Sequence, residues 1–106
     1  MEGLEYDYIG GYPSNALEHL ERSLSAYMAH NGQVKVGITG NPERRWGEHR
    51  RDGWQRMVVK YETSSERFAN QLEQHFIGSR PALANIWAGT SHMAQSGRYY
   101  LYFLIS

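Results

Sequence analysis

The chain contains no cysteine, and that absence removes both a disulfide framework and any thiolate zinc site. No apolar run is long enough to span a bilayer, and none near the start resembles a signal peptide, so a cytoplasmic protein is the expectation. Internal repeats and low-complexity tracts are also missing. Net charge is absent too, because eleven bases offset eleven acids over the 106 residues. This length supports one domain with a modest core.

The balance of charge hides a division along the chain. Residues 1–22 hold five acids (Glu2, Glu5, Asp7, Glu18, Glu21) against Arg22. Residues 35–60 hold seven bases (Lys35, Arg44, Arg45, Arg50, Arg51, Arg56, Lys60) against Glu43, Glu48 and Asp52. A local positive excess of this kind suits a polyanion, although a solvated helix face explains it equally well. Aromatic residues are plentiful, with eight tyrosines among them.

The Gly- and Tyr-rich residues 1–13 read as an irregular arm. Leu17, Leu20 and Leu24 predict a helix from Ser14 to about Leu24. Asn31-Gly32 is a strong turn signal and predicts a hairpin of Ser25–His30 with Gln33–Thr39. Asn41 as N-cap and Pro42 at the first helical position open a helix to about Asp52. Met57–Tyr61 supplies a further strand. Thr63 and Glu66 form a capping box for a helix that carries Phe68, Leu72 and Phe76 and ends near Gly78, before Pro81. Residues 82–97 read as a loop with a short helical turn, and Arg98–Ile105 as a closing strand, aromatic on both faces and so best placed inside a sheet. The expected fold is an α/β (α+β) sandwich: a small three-stranded antiparallel sheet flanked by helices, with an extra C-terminal strand.

Chemistry concentrates in Lys35–Arg50. Arg45 and His49 lie four apart and project from one helical face, which sets a guanidinium beside an imidazole, a pairing suited to holding and working on a phosphate. Glu73 sits at the edge of its helix's apolar stripe, where a carboxylate can face a cleft. One such oxygen ligand is sufficient for Mg²⁺, which completes its shell with water and substrate phosphate. A solvated glutamate is the plainer alternative. His75, two residues on, points away from Glu73.

The run Val36-Gly37-Ile38-Thr39-Gly40-Asn41-Pro42-Glu43-Arg44-Arg45-Trp46, with His49 after it, resembles the second half of the GIY-YIG nuclease module. Glu73 followed by Pro81 and Asn85 resembles the module's C-terminal half. The resemblance covers residues 25–85 and implies a division into an arm and helix (1–24) and a nuclease domain (25–106). It further implies a metal-dependent endonuclease acting on DNA, single- or double-stranded, with RNA left open, and it suits a phage or bacterial source. Tyr27, from the first-motif strand, would help activate water. Arg45 would hold the scissile phosphate, His49 would assist, Glu73 would bind one Mg²⁺ or Mn²⁺, and Asn85 would position the phosphate. Arg44, Arg50 and Arg51 would contact the nucleic-acid backbone.

The sequence departs from the family pattern at Lys35, which stands where the second motif opens with tyrosine. A lysine there could lower the pKa of a nearby phenol or act as a base. Loss of that tyrosine also fits a module that binds nucleic acid, or inhibits, without cutting. The literal string Tyr8-Ile9-Gly10 reads as chance, since no turn and arginine-bearing helix follows it. The aromatic closing strand, if exposed, could instead pair two subunits as a homodimer or stack single-stranded bases.

Overall fold

The computed structural model describes residues 2–81, 83 and 97–106. Seven elements follow in order: β1 (Leu4–Ile9), α1 (Pro13–His30), β2 (Val34–Thr39), α2 (Pro42–Arg51), β3 (Arg56–Thr63), α3 (Glu66–Ser79) and β4 (Tyr99–Ile105). They form an α+β domain around one mixed sheet of order β1-β3-β4-β2. β4 runs antiparallel to both β2 and β3, while β1 runs parallel to β3. Among the described residues, no helix is long and apolar enough to cross a membrane.

Two cores occupy the two faces of the sheet. On one face Val34, Val36, Ile38, Leu101 and Phe103 pack with Leu20 and Leu24 of α1 and with Leu72 and Phe76 of α3. On the other, Met57, Val59, Tyr102 and Leu104 pack beneath Trp46 of α2. Since successive side chains of a strand alternate in direction, a strand covered on both sides must be apolar throughout. This is why β4 reads as an unbroken run of large residues. Trp46 is almost fully buried and donates from Nε1 to the Glu2 carbonyl at 3.0 Å, tying α2 to the start of the chain.

Three local expectations are corrected. Residues 4–9 are a strand rather than part of an irregular arm. Its acids face β3 bases, Glu5 gripping Arg56 with two bonds (2.6 and 3.0 Å) and Asp7 holding the buried Lys60 at 2.9 Å. Ser25–His30 is the last third of α1, not a strand, so the Asn31-Gly32 hairpin does not form and the division between residues 24 and 25 falls inside a helix. The apolar spacing through Ala16, Leu20, Leu24, Tyr27 and Met28 keeps the helical period, and Asn31 ends the helix by donating from Nδ2 to the Tyr27 carbonyl at 2.8 Å. At α3, Ser65 rather than Thr63 is the N-cap, accepting from the Phe68 amide at 3.2 Å. Thr63 instead accepts from the Ser65 amide, shaping the turn before it.

Candidate functional site

β2 delivers the chain to α2 through a short locked turn. The Thr39 hydroxyl accepts from the Asn41 amide at 3.0 Å, and the Asn41 side chain caps α2 by accepting from the Arg44 amide at 3.1 Å. Pro42 takes the first helical position, where its missing N–H leaves nothing unsatisfied. With its start fixed, α2 turns Trp46 and His49 inward, leaves Arg45 half-buried and leaves Arg44, Arg50 and Arg51 exposed.

His49 meets a partner from the far end of the chain. Its Nε2 lies 2.8 Å from the Tyr102 hydroxyl on β4, both groups being buried. Tyr102 is the register partner of Gly37 on β2. A Cβ built on Gly37 would fall 2.4 Å from the Tyr102 hydroxyl and from the ring carbon bearing it. Gly37 is thus a strand glycine required by close approach: any side chain there would displace the phenol.

The third contributor is α3. Glu73 is buried at 8% exposure, and burial pushes its carboxyl up to about 7, against the smaller opposing pull of Lys35. Its charge also reaches Tyr102. Lys35 stands two residues before Gly37 on β2, within electrostatic range of both Glu73 and His49. Burial, then the charges of Lys35 and Arg45, push His49 down to about 4, so its imidazole is neutral at neutral pH. Burial pushes the Tyr102 phenol well up, and it keeps its proton. A neutral imidazole with its hydrogen on Nδ1 can accept that proton at Nε2, a ready path for moving it. Arg45 lies beside the pair, with its guanidinium 3.0 Å from Glu48.

Of the residues expected in the site, the structure therefore gathers Lys35, Arg45, His49 and Glu73. Tyr27 is not among them. It lies on α1, packs edge-on against Phe103 at 6.1 Å and sits under Arg56 at 5.7 Å, on the face of the sheet opposite Tyr102. The segment expected as a hairpin strand is helical, and the strand that lies antiparallel beside β2 is β4, whose Tyr102 is the register partner of Gly37. Asn85 lies outside the described residues.

Among the described residues no cluster of three His, Asp or Glu side chains could hold a metal. Among the described residues, Glu73 is the buried carboxylate at the site. A desolvated carboxylate within electrostatic range of one lysine fits a hard divalent cation, which would restore its charged form. Comparison with protein-family models, with curated proteins and with solved structures finds no match.

Proposed function

We propose that the chain is an endonuclease of GIY-YIG type that hydrolyses DNA phosphodiester bonds with one Mg²⁺ or Mn²⁺, in a cytoplasmic setting. The observation that carries this reading is the meeting of Lys35, Arg45, His49, Glu73 and Tyr102, from β2, α2, α3 and β4, around a glycine that admits the phenol. Glu73 would hold the cation, which when bound supplies Lewis-acid stabilisation of phosphate charge. Arg45 would bind the scissile phosphate and stabilise the charge that grows on it during attack. Tyr102 and His49 would together take the proton of the attacking water, the phenol relaying it to the neutral imidazole. Lys35 adds positive charge beside Glu73 and His49, and Arg45 is the charge that opposes the upward push of burial on the phenol. The exposed Arg44, Arg50 and Arg51 would contact flanking phosphates, and such binding weakens with salt.

The test is cleavage of labelled single- and double-stranded DNA in Mg²⁺, Mn²⁺ or EDTA, with Glu73→Ala alongside to expose any contaminating nuclease. Cutting that needs the metal and disappears in the variant is the expected result. Salt-sensitive binding without any cutting would replace this reading with a binding or inhibitor protein that keeps the fold.

A further inference from the structure

Tyr6 and Tyr8 are 51% and 46% exposed, unusual for rings of this size. They stand two residues apart on β1 and so share a face. Leu4, in phase with them, packs on the Trp46 cluster, which makes this the α2 face of the sheet. The rings form a row: Tyr6 meets Tyr8 edge to face at 6.5 Å, and Tyr8 meets Tyr100 in the same way at 6.3 Å. Tyr100 lies two residues before Tyr102 on β4, and its register partner is Thr39, two residues after Gly37. The row therefore runs from the edge strand across the sheet to the site that holds His49 and Tyr102.

We propose that Tyr6, Tyr8 and Tyr100 form a stacking platform for the bases of a single-stranded nucleic acid whose phosphate occupies the Arg45–His49–Tyr102 site. The proposal rests on the phosphodiester reading above and deepens it by naming the strand state of the substrate. Glu43 lies near Tyr6, and Glu62, opposite Tyr100, is offset by Arg98 at 3.6 Å. Glu43 would repel a phosphate at the Tyr6 end, whereas an uncharged base face would not be repelled. Arg45, beside Tyr102 at the other end of the row, suits the backbone. Bases of a duplex are already stacked on each other and cannot offer their faces, which selects a single strand.

The experiment compares binding, in EDTA, of a short oligothymidylate and of an abasic strand of equal length and charge. Wild-type protein should prefer the oligothymidylate by about tenfold or more, the worth of one to two stacked bases. The doubly substituted Tyr6→Ala, Tyr8→Ala protein should lose that preference, and Tyr6→Phe, Tyr8→Phe should keep it. Equal binding of the two strands by wild type, or a preference that survives both alanines, would overturn the platform. Hydrolysis of bis(p-nitrophenyl) phosphate by wild type in Mn²⁺ separates the two claims, because this small diester has no base to stack. Hydrolysis without a base preference removes the platform and keeps the nuclease; a base preference without hydrolysis does the reverse.

Discussion

A methyl group at Gly37 would lie 2.4 Å from the Tyr102 hydroxyl, closer than packed atoms come, so the phenol would have to move. Gly37→Ala is expected to cost about 1–3 kcal/mol of stability in urea unfolding, and to slow cleavage on the order of 100-fold by misplacing the pair. His49 gives a pH signature. The unfolded chain protonates this imidazole near its ordinary 6.5, the folded protein only near 4, so its contribution is complete above 6.5 and is lost as pH falls toward 4. The loss is steepest at about 1.4 kcal/mol per pH unit, and His49→Gln should flatten it. Glu73 works in the opposite sense: raised from 4.5 to about 7, it favours the folded state at low pH and costs stability as pH rises through that window. Glu73→Gln should therefore raise the melting temperature in EDTA at alkaline pH while removing metal-dependent cutting, and a lower melting temperature would contradict the buried-charge account.

At the scale of elements, α2 and α3 were legible because their signals are local. Asn41 and Pro42 announce α2, and Phe68, Leu72 and Phe76 keep one period through α3. α1 was cut short because Asn31-Gly32 outweighed a periodicity that runs on through Tyr27 and Met28, and that one error carried Tyr27 into the site. β1 was missed although Leu4-Glu5-Tyr6-Asp7-Tyr8 alternates as a strand should; its partner β3 lies some fifty positions away, with Glu5 bonding Arg56 51 residues on. Ala26→Pro tests the correction directly, because it is exposed and lies inside α1. A helix interior should lose about 3 kcal/mol or more there, and an unchanged denaturation midpoint would return the segment to a strand. The cap at Asn41 should be worth about 1 kcal/mol to Asn41→Ala by the same measurement.

At the scale of the whole molecule, the sheet is completed by the strand furthest along the described chain. β4 bonds β2 on one side and β3 on the other and so joins them. Its amides should exchange with solvent only through global unfolding, whereas those of β1, an edge strand with an exposed face, should exchange sooner. This topology is why the phenol of the site was not legible in sequence: Tyr102 follows Gly37 by 65 positions yet is its register partner. No local spacing links the two residues. The central question is which tyrosine serves the chemistry. The decisive measurement is metal-dependent DNA cleavage by wild type, Tyr102→Phe and Tyr27→Phe, each checked for folding. Loss of the phenol at Tyr102 should slow cutting by about 100-fold or more, with Tyr27→Phe close to wild type. Full activity in Tyr102→Phe, with loss in Tyr27→Phe, would contradict the site described here.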